Sequence, residues 1–227
     1  MPAGVNGERQ ATEGEGMKGK ALGFLAVAAT LVLATGALAA VIDGTPGDDR
    51  LRGSTNADVI SAKGGNDFVN ALAGNDLIRA GGGDDTVQGD FGSDTTFGGS
   101  GSDRIRSGGS DDVAWGGSGA DAVHGGDGPD ELHGGSGPDL VYGGHGGDRL
   151  WGGPGADALY GGAGDDVLHA LADDDDPDTL NCGPGNDTVK VRKPERTTIQ
   201  GCETIVRIVT PSADEAAGEA DRDADAE

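Results

Sequence analysis

The chain has 227 residues, of which 46 are glycine and 9 are proline, and only 4% are aromatic. Acidic residues outnumber basic ones 40 to 16, which gives a formal net charge of −24. Such a charge argues against a nucleic-acid binder and against a protein held at anionic membranes, because both need a basic surface. The hydrophobic content of 34%, much of it alanine, also argues against an enzyme with a thick apolar core.

The first apolar run predicts processing rather than folded structure. Residues 21–40 are apolar, follow Lys18 and Lys20, and contain an Ala-Leu-Ala triplet at 37–39. We predict that residues 1–39 are an N-terminal extension and a secretory signal peptide, cleaved after Ala39. The alternative is an uncleaved membrane anchor, because about 20 apolar residues can span a bilayer. Cleavage predicts an extracellular protein, free or associated with the cell surface, without stable membrane insertion.

From Gly44 onward the sequence repeats every nine residues. Residues 44–169 divide into 14 consecutive units, whose positions we number as places one to nine. Glycine dominates places one, two and four, place six is always aspartate, and place eight is aliphatic except at Thr96 and Ala114. An irregular unit (170–181) and a further regular unit (182–190) follow. A fixed period of this length is typical of a solenoid.

The three types of position predict how each unit folds. Glycines permit backbone conformations that are closed to other residues, so places one to six are expected to form a tight turn. Places seven to nine are then expected to form a short strand whose side chains point outward, inward and outward. A single inward aliphatic residue in nine gives a thin core, so something besides apolar burial must hold the coil together.

The aspartates at place six are expected to stack in two columns, one along each edge of the coil. Two units make one coil, so residues 18 apart would lie about 4.8 Å apart. Neighbouring carboxylates at about 5 Å repel by roughly 0.8 kcal/mol even in water. A hard cation removes this repulsion, and calcium suits the site better than magnesium because it accepts about 6–8 oxygens in flexible geometry. The alternative is that each aspartate only forms a turn and faces solvent.

We therefore predict multiple bound calcium ions as cofactors. The candidate metal ligands are Asp49, Asp58, Asp67, Asp76, Asp85, Asp94, Asp103, Asp112, Asp121, Asp130, Asp139, Asp148, Asp157, Asp166, Asp178 and Asp187.

The unit at 116–124 reads GGSGADAVH and fits the pattern G-G-x-G-x-D-x-U-x, where U is a large aliphatic residue. In this pattern the chain resembles the RTX, or haemolysin-type, calcium-binding nonapeptide repeat family. The resemblance implies an all-β fold, a right-handed parallel β-roll solenoid with calcium between each turn and the turn one coil further on. It implies up to about 12 calcium sites in two rows. Asn56 and Ser110 depart from the pattern at place four, and units 44–79 lack the paired leading glycines.

The carboxyl end predicts a cap and a tail beyond the β-roll (44–190). Cys182 and Cys202 are the only cysteines, and in an exported chain they predict a disulfide. Two free thiols or a metal site are the alternatives. Residues 191–210 are richer in basic and β-branched side chains and predict a small disulfide-linked β cap. Residues 211–227 predict a disordered acidic tail.

Ring side chains recur at place nine of alternate units, on one strand face. Because these strands would stack directly on one another, we expect an exposed ladder of rings, here called the aromatic ladder. Either the rings only stabilise each other, or the ladder is a candidate ligand face for extracellular polysaccharide or the cell wall. The aromatic ladder comprises Phe97, Trp115, His133, Trp151 and His169.

No familiar catalytic motif accompanies the repeats. Residues 40–227 contain no H-E-x-x-H, G-x-S-x-G or P-loop sequence. We therefore predict a secreted, non-enzymatic calcium-binding protein that folds on binding calcium. The alternatives are a calcium-stabilised adhesin or wall- or matrix-binding module, and an enzyme remnant with an unrecognised site.

Overall fold

A computed structural model describes residues 39–170, 176–192 and 197–208, which form strands and turns without a helix. This part of the chain therefore has no helix that could cross a membrane. The predicted signal segment up to residue 38 and the predicted tail at 211–227 lie outside the described residues. The predicted all-β solenoid is confirmed.

The described strands form two parallel sheets around one core, and the chain passes from one sheet to the other with each unit. The first sheet contains, in spatial order, β1 (Val41–Asp43), β3 (Val59–Gly64), β5 (Leu77–Gly82), β7 (Thr95–Ser100), β9 (Val113–Ser118), β11 (Glu131–Ser136), β13 (Arg149–Trp151), β15 (Val167–Ala170), β17 (Thr188–Arg192) and β19 (Thr204–Ile208). The second sheet contains β2 (Arg50–Arg52), β4 (Phe68–Asn70), β6 (Thr86–Phe91), β8 (Arg104–Gly109), β10 (Ala122–Asp127), β12 (Leu140–His145), β14 (Ala158–Ala163), β16 (Thr179–Asn181) and β18 (Thr198–Gln200).

The nine-residue period sets the register of both sheets. Val123 pairs with Val141, 18 residues further on, and this separation holds through the uninterrupted units. After the irregular unit the separation becomes 21, as between Leu159 and Leu180. The three additional residues are thus accommodated between β15 and β16, without a shift of the inward residues.

The strands of the central coils are longer than the sequence predicts. β9, for example, covers six residues, from place seven to place three of the next unit. The prediction that places one to six form the turn is wrong in these coils, because the place-two glycines also pair along the sheet, as Gly99 does with Gly117. Place one consequently points inward, and Ala62, Ala71 and Ala80 are fully buried there.

In the units from 62 to 169, places two and four adopt left-handed backbone conformations even where the residue is not glycine. The non-glycine residues with positive φ are Lys63 at 83°, Leu72 at 83°, Asp90 at 73° and Ser110 at 91°. Such conformations cost on the order of 1–3 kcal/mol each and persist only where the surroundings enforce them. At Gly119, with φ of 135°, a Cβ would collide with the carbonyl oxygen of Gly101 one coil earlier. Close stacking of the turns therefore dictates the backbone.

The segment predicted to form the cap continues the two sheets as a final coil. β18 pairs with β16 in the second sheet, and β19 pairs with β17 in the first. The predicted disulfide is confirmed: Cys182 and Cys202 are bonded, with Cα atoms 5.2 Å apart. Cys182 is fully buried at place one, so the bond ties the last coil to the core.

We expect the disulfide to stabilise this last coil selectively. Closing a 20-residue loop contributes about 3 kcal/mol by loop entropy, and solenoid units couple mainly to their neighbours. Reduction should therefore raise amide exchange in 197–208 while units 98–169 keep their calcium response. Hydrogen-exchange mass spectrometry with and without reductant measures both, and a Cys182→Ser/Cys202→Ser variant controls for reductant effects. Loss of the whole calcium transition on reduction would contradict this expectation.

Candidate metal sites at the turns

The structure brings the aspartates at place six together in two buried columns, none of them more than 5% exposed. One column contains Asp49, Asp67, Asp85, Asp103, Asp121, Asp139, Asp157 and Asp178, and the other contains Asp58, Asp76, Asp94, Asp112, Asp130, Asp148, Asp166 and Asp187. In each column the backbone N–H of one aspartate donates to Oδ1 of the next, with N···O distances of 2.7–2.9 Å. The carboxylates therefore link successive coils.

The second carboxylate oxygen, Oδ2, does not accept a hydrogen bond of this kind in most of these residues. Oδ2 is buried and accepts no hydrogen bond in Asp67, Asp76, Asp85, Asp94, Asp103, Asp112, Asp130, Asp148, Asp166 and Asp187. An ionised carboxylate buried with one oxygen unsatisfied is costly unless a cation or donor compensates it. These oxygens are the orphaned acceptors that a bound cation would satisfy.

Glycine at place one leaves space where these oxygens meet a backbone carbonyl. A Cβ on Gly134 would lie 2.6 Å from Oδ2 of Asp139 and 2.7 Å from the carbonyl oxygen of Gly152, one coil further on. The same meeting of carboxylate and carbonyl oxygens recurs at Gly89, Gly98, Gly116, Gly125, Gly143 and Gly161. Carboxylate and carbonyl oxygens are the donors that calcium prefers, so the residues present fit the ion.

Side chains alone do not complete a metal site. Among residues 39–170, 176–192 and 197–208, no group of three or more carboxylate, imidazole or thiol side chains comes together in a way that could hold a metal. A cation at these turns would therefore take most of its oxygens from the backbone or from water, as calcium readily does.

The first two units use their aspartates differently. The backbone N–H of Thr45 donates to Oδ2 of Asp49 at 2.5 Å, and that of Ser54 donates to Oδ2 of Asp58 at 2.5 Å. The Ser54 hydroxyl also donates to Oδ1 of Asp58 at 3.0 Å. In these units the aspartate caps its own turn, but it is buried and does not face solvent as the alternative for a lone aspartate assumed.

The next three units differ from the later ones at place one. Ala62, Ala71 and Ala80 put a methyl group where the later units up to residue 169, except that of Ser107, have a bare glycine, and all three side chains are part of the hydrophobic core. An orphaned Oδ2, a backbone carbonyl and a bare glycine come together at Gly89, Gly98, Gly125, Gly143 and Gly161.

Burial raises the pKa of ten of the column aspartates above the usual 3.8, and the charges of neighbouring carboxylates raise most of these pKa values further. The backbone hydrogen bond to each carboxylate acts in the opposite direction but does not cancel the effect. The pKa rises to about 6 for Asp67, Asp76, Asp85, Asp94, Asp148 and Asp166, to about 7 for Asp103 and Asp112, and to about 8 for Asp130. Without a cation, folding therefore makes these carboxyls harder to ionise than in the unfolded chain, most of all at Asp130.

Glu203 extends one column beyond the residues that the sequence identified. The pairing of Thr188 with Thr204 places Glu203 beside Asp187, and the N–H of Asp187 donates to Glu203 Oε2 at 2.8 Å. The separation of 16 residues, which breaks the nine-residue frame, hid this position. The available signal was Gly201 two residues before Glu203 and Ile205 two residues after it, the spacing of glycine, acidic residue and aliphatic residue in the repeats.

The aromatic ladder is a continuous stack of rings. Successive ring centroids lie 4.4–5.5 Å apart with interplanar angles of 6–20°. The rings therefore cover one another's faces and present mainly edges. The expectation that the whole ladder is exposed is wrong for His133 and His169, which are only 6% and 4% exposed. Burial, together with nearby Lys190, lowers the pKa of His169 to about 4, so this ring is neutral at physiological pH.

Comparison with known proteins identifies the repeats. The family model for the RTX calcium-binding nonapeptide repeat (4 copies) matches six segments, 36–69, 43–78, 62–96, 97–132, 124–159 and 151–189. Together these segments cover residues 36–189 continuously, which is more than half of the chain. The comparison with curated proteins found no match.

Proposed function

Because the chain belongs to the RTX calcium-binding nonapeptide repeat family, we propose that it is a secreted, non-enzymatic protein that folds on binding several calcium ions. The observation that carries this proposal is the set of buried aspartate oxygens at the turns that accept no hydrogen bond. Calcium would supply positive charge and coordination positions for these oxygens. The column aspartates and the turn carbonyls would hold it.

The thin core explains why metal binding would be coupled to folding. Each regular unit buries one residue at place eight, such as Val123, Leu132 or Val141, and glycine at place one adds no side chain. The buried carboxylates oppose folding in the absence of a cation, while the binding free energy of an ion that binds only the folded coil adds to stability. Calcium would therefore stabilise the coils that the core alone holds weakly.

We assign the stronger calcium response to the units from Gly89 to His169. Five of these units, those of Asp94, Asp103, Asp130, Asp148 and Asp166, combine an orphaned Oδ2 with a bare glycine at place one. In contrast, Oδ2 of Asp49 and of Asp58 accepts a hydrogen bond within its own turn. The three units from 62 to 88 compensate with apolar burial, because they bury an alanine at place one in addition to place eight. Residues 40–88 would thus depend less on the metal.

A calcium titration of residues 40–227, followed by circular dichroism, tests the proposal. We expect little β signal in chelator and a cooperative gain at roughly 0.1–1 mM calcium, the range of extracellular calcium modules. Magnesium at equal concentration should do much less. Hydrogen exchange should show calcium protecting residues 89–169 more than 40–88. A chain that is fully folded in excess chelator would refute the proposal.

A second candidate function is a calcium-stabilised adhesin or wall-binding module that uses the aromatic ladder. The half-exposed side chains of Phe97, Trp115 and Trp151 along one sheet favour it. A sugar ring packs best against an open ring face, however, and neighbouring rings already cover the faces in this stack. Mutual stacking at about 0.2–1 kcal/mol per pair accounts for the ladder more directly, so this function ranks second.

A further inference from the structure

The outer face of the second sheet differs in charge from the rest of this acidic molecule. Across β2 to β18, the outward positions at places seven and nine include no acidic residue, whereas the first sheet carries Asp43 and Glu131 at these places. The outward residues of the second sheet are Arg50, Arg52, Phe68, Asn70, Thr86, Gln88, Arg104, Arg106, Ala122, His124, Leu140, Tyr142, Ala158, Tyr160, Thr179, Asn181, Thr198 and Gln200.

Two arginine pairs lie on this face, which we call the arginine face. Arg50 and Arg52 are alternate residues of β2, and Arg104 and Arg106 are alternate residues of β8, so the side chains of each pair leave the same side of the sheet. All four are exposed. Because β4 and β6 lie between β2 and β8, the pairs are three strand spacings apart, about 14 Å.

The surroundings of the four arginines leave them available to an external anion. In the part of the chain that the structure describes, none of the four arginines has an ion pair within 4.0 Å, whereas Lys63 pairs with Asp43 and His133 with Glu131 on the first sheet. The Arg50 guanidinium lies 5.4 Å from the centre of the Phe68 ring, which holds it over the sheet. Between the pairs, Asn70 Nδ2 donates to Gln88 Oε1 at 3.1 Å. Asp90, at place two of the next unit, is the one acidic residue of β4 and β6.

We propose that the arginine face binds an extended, carboxylated polysaccharide lying along the axis of the roll. Guanidinium groups bind carboxylates through paired, charge-assisted hydrogen bonds, which favours carboxylates as the anionic groups. Two anchor points about 14 Å apart along the stack of strands match a linear polymer that carries charges at intervals. A nucleic acid fits poorly, because its closely spaced phosphates need many more cations than four.

The chain's own acidic tail is a less favourable occupant. The described chain ends at residue 208 in β19, which belongs to the first sheet, on the opposite side of the roll. To reach Arg104, the tail would have to cross a turn edge that carries a column of aspartates. Binding there would also order the tail residues along the second sheet, at an entropic cost for each residue that is fixed.

The proposal rests on the proposed function in one respect, which is the state of the aspartate columns. Asp49 and Asp103 immediately precede Arg50 and Arg104, so an unneutralised column would repel a polyanion beside each arginine pair. Calcium at the columns would remove that repulsion. Binding to the arginine face should therefore require calcium, although the arginines themselves take no part in holding it.

Fluorescence anisotropy with a labelled hyaluronan oligosaccharide tests the proposal, with neutral dextran as the comparison. The full chain in calcium should bind hyaluronan, bind it more weakly as salt is raised, and leave dextran unbound. Arg104→Gln with Arg106→Gln should weaken binding by about tenfold or more, because two charge-assisted contacts are lost. The matched control, Arg79→Gln with Arg149→Gln, makes the same charge change on the first sheet and should bind like the wild type.

Circular dichroism of each variant in calcium separates binding from folding. If Arg104→Gln with Arg106→Gln does not fold, Arg50→Gln with Arg52→Gln tests the other pair in the same way. If the first-sheet control loses as much hyaluronan affinity, net charge alone would explain the effect. That result would overturn the proposal. If both arginine-face variants bind hyaluronan as the wild type does, the binding would be due to calcium bridges between the polymer and the aspartates. That result would also overturn the proposal. Binding that appears only after removal of residues 209–227 would identify the tail as the occupant instead. A wild type that folds with calcium but does not bind hyaluronan would overturn this proposal alone.

Discussion

Replacing Asp130 and Asp148 together by alanine should abolish most of the calcium response of the central coils. The two aspartates are successive members of one column, and the N–H of Asp130 donates to Oδ1 of Asp148 at 2.9 Å. In each of them Oδ2 is buried and accepts no hydrogen bond. The double substitution removes carboxylate ligands from successive turns and leaves the Asp112 and Asp130 amides without their acceptors, at about 1–3 kcal/mol each. We expect the calcium midpoint of this region to rise by about tenfold or more.

The matched control removes the same charge from the surface of nearby units. Asp111 and Asp127 are exposed and lie outside the columns, so replacing both by alanine should leave the midpoint close to that of the wild type. Hydrogen exchange across 107–170 during a calcium titration measures both variants. Similar shifts in the two variants would show that net charge, and not ligation at the columns, controls folding.

The column that contains Asp130 and Asp148 illustrates how much of this fold the sequence predicts. Their separation of 18 residues follows directly from the nine-residue period, and in a parallel solenoid the period fixes which residues stack. The same reasoning predicts the two columns, the inward place-eight residues and the stacking of Trp115 on His133, all of which the structure shows. Strict repetition makes long-range contacts predictable, because the residues in contact are a fixed number of positions apart in the sequence.

The remaining features depend on interactions that a period does not encode. Place one points inward in a strand, but glycine has no side chain whose polarity would indicate this. The engagement of Asp58 by Ser54 depends on local hydrogen-bond geometry within one turn. Glu203 takes the column position after Asp187 at a separation of 16, since the last coil is shorter than the others. Repetition therefore predicts the shared scaffold, while the differences between units decide where a metal fits.

Acid and calcium should act as alternative ways of folding the central coils. Burial raises the pKa of Asp130 to about 8 and those of Asp103 and Asp112 to about 7, against an ordinary value of 3.8. A carboxyl whose pKa is raised by folding takes up a proton as the chain folds. Its favourable contribution is fully present below about pH 4 and is lost as the pH rises through about 6 to 8. In chelator, the β signal should therefore be larger near pH 5 than near pH 8.

With saturating calcium the pH dependence should reverse. The metal binds ionised carboxylates, so protons compete with it and stability should fall as the pH is lowered.

Asp130→Asn separates the effect of charge from that of the hydrogen bond in a single residue, because the amide keeps an oxygen for the Asp112 N–H but carries no charge. This variant should show more β structure than the wild type in chelator near pH 8, yet need more calcium to complete folding. Asp127→Asn, at an exposed position, should change neither. Circular dichroism at the two pH values, in chelator and in calcium, gives all four measurements. A β signal in chelator that is the same near pH 5 and pH 8 would show that the buried carboxylates do not limit folding.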